Sequence, residues 1–334
     1  MTNIDLSQMH TNQRLLVEEL LRRGATISQT DPSVELLEVS YKGKSEYLLD
    51  RVGKTMAYLP SSLAADKHLT KYILKKHGVS VPAGHIFDGS QIREAITYGC
   101  ELGFPLVIKP NVGSNGDAVH SGIDNKTQLE EAIRVTLHRM GATKHFIVEQ
   151  HIHGSEYRIF VTTKGAYAVL LREPAHVIGD GKSSIETLAQ QETLRRHTAK
   201  TREGSALCPI VLDEIALNFL QNKCLDFNSV PRAGEKIYLR LSSNLAQGGL
   251  SKDMTDATHP SAIAIAKKAL TAFDGLPCLG VDFLTEDITA DQTLVSHAIL
   301  EINANPGLAM HHMPALGQPR NVASYLADVM FPDL

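Results

Sequence analysis

Apolar positions along the 334-residue chain follow two rhythms. Leu15, Leu16, Leu20 and Leu21 recur on one face of a 3.6-residue repeat, which predicts a helix over 11–24 stopped by Gly24. Strand-like runs follow at 34–41 and 46–50, and Lys42–Gly43–Lys44 between them is a hairpin-type turn. The first sixty residues thus read as a small α/β cap. Asp66 to His77 reads as a second helix, ended by Gly78. SVPAGHIF then enters a strand, 90–102 is helical, PLVIKP (105–110) is a short apolar strand, and the glycine-rich NVGSNGDAV (111–119) follows at once. Residues 125–139 read as a helix and HFIVEQ (145–150) as a strand. From 155 onward strand patterns dominate, in EYRIFVTT, AYAVLLRE, KIYLRLSS, CLGVDFLT and VSHAILEIN, with helices near 183–197, 213–222, 259–273 and 319–330. GDGKSS (179–184) and QGGLSKD (247–253) read as functional loops. The expected class is α+β, with the cap over 1–63, a small subdomain over 64–154 and a large one over 155–334.

Composition narrows the partners. Apolar residues make up 43% and charged residues 21%, as in an ordinary globular protein. A formal charge of −4 without a Lys/Arg block argues against nucleic acid and anionic membranes. The polar start lacks the order of a signal peptide, and no apolar run reaches membrane-spanning length. The four cysteines, Cys100, Cys208, Cys224 and Cys278, form no CxxC pair. A reducing cytoplasm is therefore the expected compartment.

Three constellations carry candidate chemistry. The first is Lys67, Lys109 and the loop that follows, in the order K-P-x-x-G-S-x-G. Lysines beside glycines supply the charge and close backbone N–H donors that a triphosphate needs, although a plain surface turn after a strand fits the same pattern. The second is acidic. Asp282 sits in GVDFL, and Glu301 and Asn303 in LEINANPG, inside apolar strands. Buried carboxylates need a partner or a metal. Glu301 and Asn303, spaced i, i+2, share one face of a strand, as hard oxygen ligands for Mg2+ or members of a structural salt bridge. The third is VEQHIHGSEYR (148–158), where Glu149 and Glu156 bracket Ile152. An apolar slot with flanking carboxylates suits adenine and ribose, and a solvated strand end has the same look.

Taken in order, DK…VIKP-NVGSNG…VEQHIHGSEYR…GVDFL…LEINANPG resembles the ATP-grasp superfamily, and within it the modules of cyanophycin synthetase and of fused bifunctional glutathione synthetases. REPAHVIGDGKSSIETL (172–188), the segment 230–260 and NANPGLAMHHMPALGQPRNVASYLADVMFP support the likeness from about residue 60 to the end. The resemblance implies two α+β subdomains gripping ATP. It implies that Lys67 and Lys109 contact phosphates and that Gly113, Ser114, Asn115 and Gly116 close over them. Glu149, Gln150 and Ile152 would line the adenine slot, and Glu156 would hold the ribose. Asp282, Glu301 and Asn303 would bind Mg2+, or Mn2+ in its place. Arg172 and Arg240, with Asn303, would stabilise the phosphoryl group and an acyl phosphate, and Gly248 and Gly249 would lie near the reacting carboxylate. The implied activity is an ATP-dependent carboxylate–amine ligase acting on amino acids or peptides and releasing ADP and phosphate, in a homo-oligomer.

Two departures point to a substrate unlike the usual one: Leu250 follows the glycines where a small hydroxyl residue is common, and Ala309 stands where an arginine often precedes Met-His. The chain reaches Leu334 soon after its last helix, from which we expect one catalytic module and a short product. His311 and His312 would orient substrate or shuttle a proton, or simply pack a loop. Three further functions share the pattern: a glutathione-synthetase-type step joining a γ-glutamyl dipeptide to glycine, a nucleotide-binding regulator without catalysis, and a kinase acting on an alcohol. Both lysines and all three metal-ligand positions argue against the regulator.

Overall fold

The computed structural model describes residues 4–29, 36–113, 118–141, 144–198 and 208–332. Its first helix, α1 (Thr11–Arg22), buries Leu16 and Leu20 of the expected stripe together with Val17, whereas Leu15 and Leu21 are half-buried at its edge. Three short strands follow, β1 (Thr26–Gln29), β2 (Leu36–Tyr41) and β3 (Lys44–Leu49), paired antiparallel in that order. Lys42 and Gly43 both take positive φ, as a two-residue hairpin turn requires. The pattern overlooked β1, whose four residues bury only Ile27. The cap has no separate core. Its apolar residues join Phe160, Ala168, Cys278, Leu308 and the last helix in one cluster.

Two helices come next, α2 (Tyr58–Ala65) and α3 (Lys67–Lys76). Asp66 ends the first and caps the second, its carboxylate accepting Leu69 N–H at 2.8 Å. Ala64 and Leu74 pack into the core of the large sheet described below. The small subdomain is an antiparallel sheet, β4 (Gly84–Phe87), β5 (Leu106–Pro110), β6 (His120–Ile123) and β7 (Phe146–Gln150), in the order β4-β7-β5-β6. Helices α4 (Ile92–Leu102) and α5 (Lys126–Met140) seal its core, built on Ala95, Leu106, Ile108, Leu129, Ile133, Phe146 and Val148.

The large part runs through β8 (Ser155–Thr162), β9 (Tyr167–Glu173), β10 (His176–Ile178), α6 (Ile185–Thr198), α7 (Glu214–Gln221), β11 (Lys236–Tyr238), β12 (Leu250–Asp253), α8 (Pro260–Thr271), β13 (Cys278–Thr285), β14 (His297–Asn303), α9 (Ala309–His312) and α10 (Val322–Met330). Five of these strands form an antiparallel sheet in the order β12-β9-β8-β13-β14. Alternation sends Ile159, Val161, Val281 and Phe283 to the α8 side. Phe160 and Cys278 face the cap and α10. The α+β class expected from the sequence is what the chain adopts.

Two segments differ from the pattern. KIYLRLSS extends as a strand only over Lys236–Tyr238, because its partner β10 is three residues long, and the remainder becomes a loop. QGGLSKD supplies a loop only as far as Gly249. Gly248, at φ +93°, turns the chain, and Leu250–Asp253 then pairs with β9 as an edge strand. No helix among the described residues is long and apolar enough to cross a membrane.

Candidate active site

The lysines converge. Lys109 closes β5, is 6% exposed, and sets its Nζ 2.7 Å from Glu149 Oε1 on the neighbouring strand β7. Lys71, one turn beyond the start of α3, reaches the other oxygen of the same carboxylate. Lys67, in the first turn of α3, donates to Gly113 O at 2.7 Å and lies 3.7 Å from Glu301 Oε2. Burial pushes the Lys109 ammonium down to about 8, with Glu301 opposing and Lys67 adding to the fall. Burial and then the charge of Lys109 drive Lys71 well below the ordinary lysine range. The group thus holds ammonium charges that repel one another, and a polyanion between them would relieve the repulsion. Gly113 takes φ +142°, a conformation that favours glycine. Ser114, Asn115 and Gly116 lie outside the described residues.

A second group crosses the large sheet on the face turned away from α8. Register sets Glu156 of β8 opposite Arg172 of β9, Arg158 of β8 opposite Asp282 of β13, and Asp282 opposite Glu301 of β14. Asp282 Oδ1 is 2.6 Å from Arg158 Nε, and its Oδ2 is 3.1 Å from Arg172 Nη2. Arg172 also pairs with Glu156, which accepts a hydrogen bond from Ser243 Oγ. A β-bulge makes this row possible. Leu300 is skipped between the pairs Asp282↔Glu301 and Phe283↔Ile299. Ile299 and Ile302 therefore both enter the α8-side core, whereas Glu301 is turned to face Asp282.

The carboxylates of the row titrate apart. Burial works against charge on Asp282, yet Arg158 and Arg172 hold its carboxyl below the usual range. Burial raises Glu301, and the adjacent Asp282 charge raises it further. The Asn303 amide nitrogen is enclosed without a partner. Among the described residues no three His, Cys, Asp or Glu side chains converge as a complete metal cage. The donor set of two carboxylates and an amide fits a hard divalent cation that takes its remaining oxygens from phosphate and water.

Arg240, 3% exposed, bonds to Gln247 Oε1 at 2.8 Å, Val211 O at 2.6 Å and Asp213 Oδ1 at 3.2 Å. Its recorded contacts lie in the loops before α7 and β12, not in the carboxylate row. A Cβ on Gly249 would stand 2.9–3.1 Å from the carbonyls of Glu173, Ser243 and Asn244, so the loop is packed directly against β9.

The ATP-grasp domain model matches residues 64–307. The chain belongs to the ATP-grasp family. Cyanophycin synthetase from Geminocystis herdmanii is 34% identical over 300 residues, covering 89% of this chain and 34% of that protein. A glutathione biosynthesis bifunctional protein from Clostridium perfringens is 31% identical over 336 residues, covering 98% of this chain and 42% of that one. The crystal structure of a bifunctional glutathione synthetase from Pasteurella multocida superposes with a TM-score of 0.71 at 28% identity, over 98% of this chain and 45% of that chain. The ATP-grasp chain described here thus spans less than half the length of these relatives.

Within this ATP-grasp fold, Lys67, Lys109, Gly113 and Glu149 come together, as do Arg172, Glu156, Asp282, Glu301 and Asn303. Gln150 is exposed and Ile152 half-buried at the end of β7. Glu149 faces lysines rather than an open slot. Sequence reasoning missed Lys71, Arg158 and Ser243. Lys71 follows Lys67 by four residues on one helix face, and Arg158 follows Glu156 by two on one strand face, so the periodicity could have found both. The two histidines separate. His312 Nε2 accepts Ala323 N–H at 3.1 Å and caps α10, whereas the His311 ring is fully buried beside Phe160 with both nitrogens unpartnered.

Proposed function

We propose that this chain is an ATP-dependent carboxylate–amine ligase that joins small amino acid or peptide substrates through an acyl phosphate, releasing ADP and phosphate. The observation that carries the reading is the juxtaposition of two charge groups, linked by Lys67 at 3.7 Å from Glu301. Lys67, Lys71 and Lys109 form the cationic side, and Asp282, Glu301 and Asn303 the oxygen-donor side. A divalent cation held by Asp282, Glu301 and Asn303 would neutralise phosphate charge.

The chain's own residues do the remaining work. Lys67 and Lys109 bind the polyphosphate, and the Gly113 loop contributes main chain beside it. Arg172 faces the donor side of the row, where it offsets the charge that gathers as a substrate carboxylate oxygen attacks the terminal phosphorus and the bond to ADP breaks. The amine then attacks the acyl carbon, phosphate leaves with its electron pair, and the amine gives up a proton. Packing of the Gly248–Gly249 loop against β9 supports a role in keeping water from the acyl phosphate. Arg240 holds this loop through Gln247. Glu149, Gln150 and Ile152 would border the adenine and Glu156 the ribose.

A second reading is a glutathione-synthetase-type ligase that extends a γ-glutamyl dipeptide with glycine. It is favoured by the match to the bifunctional glutathione enzymes over 98% of the chain, cap included. All four cysteines are free thiols, in keeping with a cytoplasmic enzyme.

The test is a phosphate-release screen with Mg-ATP and paired amino acids and dipeptides, followed by mass spectrometry of the product. ADP and phosphate with a condensed product are expected. AMP and pyrophosphate would overturn the acyl-phosphate route. A γ-glutamyl dipeptide plus glycine as the one productive pair would select the second reading.

A further inference from the structure

The cap does more than cover the large sheet. Helix α1 sends Asn12 toward the loop that follows Asn303. Asn12 Oδ1 accepts both Leu308 N–H at 2.7 Å and Ala309 N–H at 2.8 Å. These are the first free amides of the short helix α9, so a residue almost three hundred positions away in sequence acts as its cap. The turn after β3 grips the same loop from its other end. Asp50 Oδ2 accepts Asn305 Nδ2–H at 2.9 Å, Arg51 Nη2 donates to Asn305 O at 3.4 Å, and Arg51 Nη1 pairs with Asp50 Oδ1 at 2.6 Å. Asp50 holds this geometry at φ +52°, in the left-handed region.

Docking of the cap does not depend on these bonds. The shared apolar cluster fixes the cap to α10, and Arg23 ties α1 to Asp328 at 2.8 Å and to the Ser324 carbonyl at 2.9 Å. The bonds to 305–309 act instead on a segment that begins two residues after Asn303. We propose that Asn12 and Asp50 are positioning residues, a two-point clamp from the cap that fixes the 305–309 loop and thereby the aim of the Asn303 side chain at the divalent-cation site. This rests on the ligase reading above and on the Asp282, Glu301, Asn303 donor set.

The test reads metal-linked nucleotide binding by the full chain, without turnover. ADP affinity is measured by calorimetry in EDTA and across a MgCl2 series. In the unsubstituted protein, Mg2+ should strengthen ADP binding. Asn12→Ala should raise the Mg2+ concentration for half of that effect by roughly fivefold, the scale of one or two lost neutral hydrogen bonds, and Asp50→Gly, which also removes the carboxylate paired with Arg51, should raise it by at least as much; both should leave affinity in EDTA unchanged. Glycine is chosen at position 50 because it removes the carboxylate while tolerating the positive φ. Asn12→Asp, which keeps an acceptor, should restore most of the metal response. Arg23→Ala weakens docking without touching the clamp, so it should lower Tm and keep the unsubstituted Mg2+ dependence. Unchanged Mg2+ dependence in both Asn12→Ala and Asp50→Gly would overturn the clamp, as would an equal shift in Arg23→Ala. If ADP binding by the unsubstituted protein ignores Mg2+, the metal part of the ligase reading fails, and the clamp fails with it. That result is distinguishable because it precedes any variant.

Discussion

Replacing Lys109 by methionine tests both roles that the structure gives this side chain. Methionine keeps most of the volume and removes the ammonium. Lys109 is buried against Glu149, a carboxylate that is only 2% exposed. Breaking a buried ion pair outright costs about 3–5 kcal/mol, because a charge is left without a partner. Here Lys71 still reaches Glu149, so the expected loss is smaller, about 1–3 kcal/mol. The lost charge-assisted phosphate contact should weaken nucleotide binding by about one to two decades. Urea unfolding and ADP calorimetry read the two effects separately. The double variant Lys109→Met/Glu149→Gln leaves the buried Lys71 without its carboxylate and should therefore recover no stability over the single one, while ADP stays weakly bound. Nucleotide affinity that is unchanged in the single variant, or restored in the double one, would refute the phosphate role and leave Lys109 as a partner of Glu149 alone.

Three further outcomes are expected. Glu301→Ala should lower turnover in the phosphate-release assay by two decades or more while ADP affinity in EDTA stays close to normal, because metal-borne charge stabilisation is strongest in the transition state; near-normal turnover at saturating Mg2+ would remove Glu301 from the metal site. Burial holds His312 down to about 4, so the unfolded chain binds more protons than the folded one between that value and the usual 6.5. His312 stability is therefore complete above about 6.5 and is lost as pH falls toward 4. His312→Gln keeps an acceptor for Ala323 N–H and should flatten urea midpoints across that window, and an unaltered pH profile would count against the assignment. Gly249→Ala drives a methyl to 2.9–3.1 Å from three carbonyls and should cost about 1–3 kcal/mol, seen as a lower Tm together with lost turnover.

Periodicity alone found α1, α4, α5, α8 and every strand of the large sheet except β12, because long, regularly repeating apolar faces are local facts. The same reading fixed that Glu301 and Asn303 share a face, and the ordered motifs were enough to indicate the ATP-grasp family. Short elements escaped it. β1, β6 and β12 are four residues each, too brief for an alternation to show; β1 and β6 are completed by the strand next to them in the chain, and β12 by the distant β9. Which face Glu301 occupies was also beyond the sequence. Strict alternation from Ile299 would have sent the carboxylate into the apolar core, and only the bulge at Leu300, set against the fixed register of β13, turns it toward Asp282. Ser243, which meets Glu156 from a distant loop, and the Asn12 clamp belong to the same class. Each depends on a side chain meeting a group dozens to hundreds of residues away, and such meetings are decided by the packing of whole sheets and helices, not by spacing along the chain.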